Sequence, residues 1–213
     1  MHFISPELED YVERHTEPEP ELLAALNKET HQKILLPRML SGHFQGRVLS
    51  MLSKLLRPEN ILEIGTFTGY ATLCLCEGMP QTGVMHTIDN NEELVWLQRK
   101  YFDKSPWGKQ IVQHLGNALD IIPGLETQFN LVFIDADKEN YLNYFEMMVP
   151  RMKRGGIIIS DNVLWSGKVL EPAKPNDKST RTLQDYNLAL KNDPRVETIV
   201  LPIRDGLTVC RVV

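Results

Sequence analysis

NILEIGTFTGYATL, residues 60–73, is the stretch whose reading decides the fold. An apolar run (Ile61, Leu62, Ile64) ends in Gly65-x-x-x-Gly69, and a helix-compatible run, YATLCLCEGM, follows. A strand that turns through glycines into a helix leaves backbone N–H groups at the turn that can hold an anionic or polar ligand. Glu63, just inside the strand end, adds a carboxylate suited to hydroxyls or an ammonium.

Working outward from this turn, strands and helices alternate. The spacing predicts strands over 84–89 (VMHTID), 110–114, 131–135 (LVFID) and 157–161, with helices over 92–102, 141–152 and 179–191. The wholly apolar LVFID run is that of a strand buried on both faces. Gly155-Gly156 is read as the turn into the fifth strand. Arg204-Asp205-Gly206, between apolar runs at 197–203 and 207–212, is a hairpin signal. Upstream, Val48, Leu49, Leu52, Leu55 and Leu56 give residues 45–57 the period of an amphipathic helix. Residues 6–14 and 20–32 read as two short helices parted by TEPEP, and 39–43 as a loop. The expected fold is α/β: a mostly parallel seven-stranded sheet with a C-terminal antiparallel hairpin and helices on both faces. One domain is expected, with a helical extension over 1–44 and a catalytic core over 45–213.

The 213 residues are 42% apolar and 24% charged, the balance of a globular protein. No apolar run approaches the ~18 residues of a membrane span, and the acidic N-terminus lacks the order of a signal peptide, so the expectation is a cytoplasmic protein. Three cysteines (Cys74, Cys76, Cys210) without CxxC spacing indicate neither a disulfide framework nor a zinc site. The net charge of −5 is concentrated in residues 1–30, where eight acids face only Arg14 and Lys28. That head disfavours a phosphate backbone, while the near-neutral remainder leaves nucleic acid possible.

Ligands of open α/β sheets bind beyond the carboxyl ends of the strands. Here the first strand ends in Glu63 and the glycine turn, and the second in Asp89, about 20 residues on, where a carboxylate bonds a ribose diol. The third leads to Gly116-Asn117-Ala118, small enough to admit a flat ring. The fourth ends in Asp135-Ala136-Asp137-Lys138 and the fifth in Asp161-Asn162. A glycine turn with a ribose carboxylate fits a dinucleotide or S-adenosylmethionine. GTFTG lacks the second glycine of G-x-G-x-x-G, which counts against NAD. Asp135, Asp161 and Asn162 offer oxygen ligands only, a set for a hard cation such as Mg²⁺ or Ca²⁺. Lys138 can turn back over the same site, where a divalent cation favours the free amine that a base requires.

LEIGTFTGYATL, FIDADKENYLNYFE, ISDNVLWSGKV and LPIRDGLTVCRVV resemble, in order and spacing, the cation-dependent O-methyltransferases, a family that includes caffeoyl-CoA and catechol O-methyltransferases and bacterial relatives. The resemblance runs from about Met39 to the C-terminus. It implies a class I methyltransferase fold, S-adenosylmethionine as donor, Mg²⁺ (or Mn²⁺ or Ca²⁺) as cation, and a catechol-type small molecule, a vicinal diphenol, as acceptor. Asp135, Asp161 and Asn162 match the family's metal ligands, and Lys138 its base. Glu63, Asp89 and Asp137 match acids that contact the donor, and Gly65 and Thr66 the glycine turn. Ala118 matches an adenine-pocket position and Ser41 a residue closing over the methionine end. Ala71 stands where several relatives carry a serine for the donor carboxylate, so it offers only backbone. Trp165, in the loop after the fifth strand, reads either as a wall for the acceptor ring or as a core tryptophan. Relatives are commonly homodimers. Some bacterial relatives methylate a hydroxylated uridine of tRNA, but this chain lacks the basic stripe that tRNA calls for. A non-catalytic binding protein that keeps only the fold is the third reading, against which the complete acid set and Lys138 stand.

Overall fold

In this computed structural model, which describes residues 5–213, the chain opens with helices α1 (Pro6–Arg14), α2 (Glu21–Lys33) and α3 (Gly42–Leu56). Strand and helix then alternate: β1 (Asn60–Ile64), α4 (Tyr70–Cys76), β2 (Val84–Asp89), α5 (Val95–Phe102), β3 (Ile111–Leu115) and the short α6 (Ala118–Ile121). β4 (Phe129–Ile134), α7 (Tyr141–Met148), β5 (Met152–Asp161), α8 (Lys178–Asn192), β6 (Val196–Leu201) and β7 (Leu207–Val212) follow.

The strands form one sheet in the order β3-β2-β1-β4-β5-β7-β6. The first five are parallel, β7 is antiparallel to β5, and β6 is antiparallel to β7. The chain leaves β1 in one direction through β2 and β3, then returns to place β4 on its other side. That reversal opens a crevice beyond the carboxyl ends of β1 and β4.

Alternation along the strands supplies a core on each face. Ile61, Leu131, Phe133 and Ile159 pack with Leu23, Leu26, Leu49, Leu73, Leu97 and Phe102 from α2 to α5. Leu62, Val132, Ile134 and Ile158 pack with Tyr141, Phe145, Met148, Leu183 and Tyr186 from α7 and α8. Each such aliphatic or aromatic side chain contributes roughly 1.5–3 kcal/mol by leaving water. A sheet apolar on both faces requires helices on both, as observed.

Four features depart from the sequence expectation by more than two residues. α3 begins at Gly42, so part of the expected loop at 39–43 is helical, preceded by a 3₁₀ turn at Pro37–Met39. α7 stops at Met148 because Pro150 has no N–H to continue the helical ladder, and a 3₁₀ turn carries the chain to Arg151. Glu92–Leu94 is likewise a 3₁₀ turn ahead of α5. Gly155 and Gly156 do not end a turn. β5 starts at Met152 and runs through them, with the pairing to β4 shifting between Phe129 and Leu131. Gly155 takes φ 78°, the left-handed conformation a glycine supplies at a bulge.

Gly65 is the tightest point of the crossover. Its N–H donates to the Ile88 carbonyl at 2.9 Å, and the Asp135 N–H donates to the Ile64 carbonyl at 2.9 Å, which draws the ends of β1, β2 and β4 together. Gly65 has φ 96°, and a Cβ there would lie 1.9 Å from the Asp135 carbonyl oxygen. Gly65→Ala is therefore expected to cost roughly 3–5 kcal/mol, the sum of left-handed strain and a backbone overlap. A thermal midpoint within a degree or two of wild type would contradict this.

Candidate active site

A cleft of ≈ 2090 Å³ opens along the carboxyl ends of the strands. One wall, beside the glycine turn, carries Ser41, Gly65, Thr66, Ala71, Asp89 and Ala118; a second, the far wall, from the ends of β4 and β5 and the loops after them, carries Asp135, Asp137, Lys138, Asp161, Asn162 and Trp165. The volume exceeds the ~300–1,000 Å³ of an ordinary small-molecule pocket, enough for a nucleoside donor beside a second substrate.

At the glycine turn the backbone amides are not free. Asp89 Oδ2 accepts from the N–H groups of Thr66 (3.0 Å) and Phe67 (2.8 Å), and its Oδ1 accepts from the Asn91 N–H at 2.9 Å. The Gly69 N–H donates to the Thr66 carbonyl. A turn whose amides already hold a carboxylate does not attract a pyrophosphate, and Asp89 keeps lone pairs for hydroxyl donors. Ala71 and Ala118 are both buried small residues on this wall. Asp137 accepts from the Tyr144 hydroxyl at 2.5 Å and from the Asn140 amide, so its carboxylate is held in a fixed orientation.

The far wall gathers the charge. Asp161, at the end of β5, is only 3% exposed, and burial first, then the nearby Asp135 carboxylate, push it well above the usual carboxylate range. Its Oδ2 accepts from Gln45 Nε2 at 2.6 Å and its Oδ1 from the Asn162 N–H at 2.6 Å. Asn162 has φ 60°, a left-handed conformation that asparagine tolerates better than most residues. Lys138, 9% exposed, donates to Asp135 Oδ1 at 3.1 Å and to the Tyr141 hydroxyl at 2.5 Å. Tyr141 in turn donates to the Asp161 carbonyl at 2.9 Å. Lys138 Nζ also lies 6.0 Å from the centroid of the Trp165 ring.

Two members of this cluster escaped the sequence reading. Gln45 lies 116 positions from Asp161, on the buried face of α3, and its only signal is a polar residue at a core position of that helix. Tyr141 reads as an ordinary core aromatic, and its one clue is the i,i+3 spacing from Lys138.

Glu63, expected at the donor, is not part of the cleft wall. Its carboxyl is wholly enclosed beneath the glycine turn, where Oε2 accepts from the Thr72 and Thr87 hydroxyls and Oε1 has no partner. Burial pushes its pKa up to about 8; the two threonine bonds oppose the shift, and the Asp135 and Asp89 carboxylates add to it. A carboxyl raised above its unfolded value of about 4.5 binds more protons folded than unfolded between those limits. Its contribution therefore favours folding below about pH 4.5 and is lost as pH rises through about 8. Glu63→Gln, neutral at every pH, is expected to remove that decline, a difference on the order of a few kcal/mol above pH 8. Parallel stability–pH curves for the two proteins would contradict it.

Solved structures share this architecture. An O-methyltransferase from Bacillus cereus in complex with SAH matches with a TM-score of 0.89 and 27% identity, covering 97% of each chain. TomG from Streptomyces achromogenes, an O-methyltransferase solved with SAM, matches with a TM-score of 0.88 and 27% identity, covering 97% of this chain and 96% of its own. The fold is that of a class I S-adenosylmethionine-dependent methyltransferase.

Residues 13–213 match the O-methyltransferase family. The caffeoyl-CoA O-methyltransferase of Petroselinum crispum is 36% identical over 204 residues, 91% of this chain and 84% of its own. Caffeoyl-CoA O-methyltransferase 1 of Eucalyptus globulus is 38% identical over 183 residues, 81% of this chain and 74% of its own. The chain belongs to the cation-dependent O-methyltransferase family and is an S-adenosylmethionine-dependent O-methyltransferase. Among the described residues, no helix is long and apolar enough to cross a membrane.

Proposed function

We propose that the enzyme methylates one hydroxyl of a catechol-type small molecule, with a divalent cation held by Asp135, Asp161 and Asn162 and with Lys138 as base. The observation that carries this reading is the meeting of Lys138, Asp135 and Asp161 on one wall of the cleft, beside the glycine turn. The donor set supports the cation. Asp161 is nearly inaccessible, burial and the Asp135 carboxylate beside it raise its cost of ionisation, and Lys138 hydrogen-bonds Asp135 rather than Asp161. Three oxygens with neither sulfur nor imidazole suit Mg²⁺, Mn²⁺ or Ca²⁺.

When bound, the cation supplies positive charge that lowers the cost of ionising a phenolic hydroxyl. Asp89 and the small residues Ala71 and Ala118 would hold the donor, which supplies the methyl group. Lys138 takes the hydroxyl proton at Nζ, which Tyr141 and Asp135 fix in place. Trp165 walls the acceptor side with an apolar face.

The test is incubation with radiolabelled donor and Mg²⁺, offered caffeic acid, caffeoyl-CoA or undermodified tRNA. Label on the diphenol is the expected result. Label on tRNA alone would overturn the acceptor class, and transfer to none of them would leave only the donor half of the reading.

A further inference from the structure

The two loops that bound the cleft are joined by neither strand pairing nor helix packing; both are tied to the turn between β6 and β7. On one side, Arg204 Nη1 donates to the Leu40 carbonyl at 2.8 Å and to the Ser41 carbonyl. These bonds span more than 160 positions and set the segment that enters α3, four residues before Gln45. On the other side, Asp205 Oδ1 accepts from the Ser166 N–H, the Leu164 N–H donates to the Asp205 carbonyl at 2.9 Å, and the Val163 N–H donates to the Gly206 carbonyl at 3.2 Å.

The loop so held is strained. Asn162, Trp165 and Ser166 all have positive φ, at 60°, 47° and 53°. Such conformations cost free energy and persist only where the surroundings impose them. Gly206 has φ 90°, and a Cβ there would meet Leu164 Cγ at 2.4 Å, so the turn and the loop approach more closely than a side chain permits.

We propose that Arg204 and Asp205 are positioning residues for the methyl transfer: Arg204 sets the Ser41 wall for the donor, and Asp205 sets the Trp165 wall for the acceptor. Neither residue need touch the reacting atoms. The turn acts as one clamp with two arms, and its two side chains divide the substrates between them. The inference rests on the proposed placement of the donor at Ser41 and of the acceptor at Trp165.

The division is what the experiment reads. Asp205→Ala removes the acceptor for the Ser166 N–H, while Asp205→Asn retains an oxygen at that place. Asp205→Ala is expected to raise the KM for caffeic acid roughly tenfold, the factor that loss of one hydrogen bond of ordinary worth produces. The dissociation constant for S-adenosylhomocysteine should stay unchanged, and Asp205→Asn should restore KM. Arg204→Ala should raise the S-adenosylhomocysteine dissociation constant by a similar factor and move the acceptor KM less. Equal effects of both variants on both constants, or a lowered thermal midpoint with both constants intact, would overturn the proposal. So would an Asp205→Asn variant as impaired as Asp205→Ala. The donor measurement needs no acceptor, so a failure of caffeic acid to serve as substrate in wild type counts against the proposed function and leaves the Arg204 arm to be judged by itself.

Discussion

Asp161→Ala is expected to lower methyl transfer by roughly 10³-fold or more, the scale of several kcal/mol of lost charge stabilisation, while donor binding persists. The carboxylate it removes is the most enclosed of the cleft acids, held by Gln45 on one oxygen and the Asn162 N–H on the other. Without it, Asp135 and Asn162 offer too few oxygens to hold a hard cation firmly. The wall proposed for the donor is built by other elements, from the Gly65 turn and Asp89, so the dissociation constant for S-adenosylhomocysteine should move little. Removing a buried, repelled carboxyl is not expected to unfold the protein, because its ionised form is already disfavoured there. An Asp161→Ala enzyme with wild-type kcat would remove the cation from the account.

Lys138→Ala is the second large effect: kcat is expected to fall by roughly 10²–10⁴-fold, the usual contribution of a positioned general base. Nζ is held by Tyr141 at 2.5 Å and Asp135 at 3.1 Å, so a single geometry is presented to the acceptor. Lys138→Arg is expected to fare little better, since a guanidinium does not give up its proton. Tyr141→Phe separates holding the lysine from being the lysine, and should reduce kcat less than Lys138→Ala. Unchanged kcat in Lys138→Ala, with cation dependence intact, would assign the proton to bulk water instead.

The sheet was legible because its signals are local. LEIGTFTG, VMHTID and LVFID each carry strand and end within a few residues, and an acid at a strand end needs only the topology to become part of a site. The far wall was legible for the same reason: Asp135 and Lys138 lie on one short segment, and Asp161 and Asn162 are adjacent. Gln45 was not, because its role exists only once α3 crosses to the end of β5. Tyr141 was hidden by its chemistry, being a good core residue whose hydroxyl does the holding. Glu63 was legible in position but not in orientation. Its position near a strand end is readable, but which way a strand residue points depends on the strand's neighbours, and here α4 closes over it with Thr72. Gly155-Gly156 shows the corresponding ambiguity in backbone, since a glycine pair signals a turn or a bulge equally well until the partner strand is known.

The measurement that bears most directly on the central claim is labelled methyl transfer to caffeic acid by enzyme stripped with EDTA and then titrated with Mg²⁺. The account predicts no transfer in EDTA, full recovery on addition of the cation, and S-adenosylhomocysteine binding unaffected throughout. Full turnover in excess EDTA would contradict it.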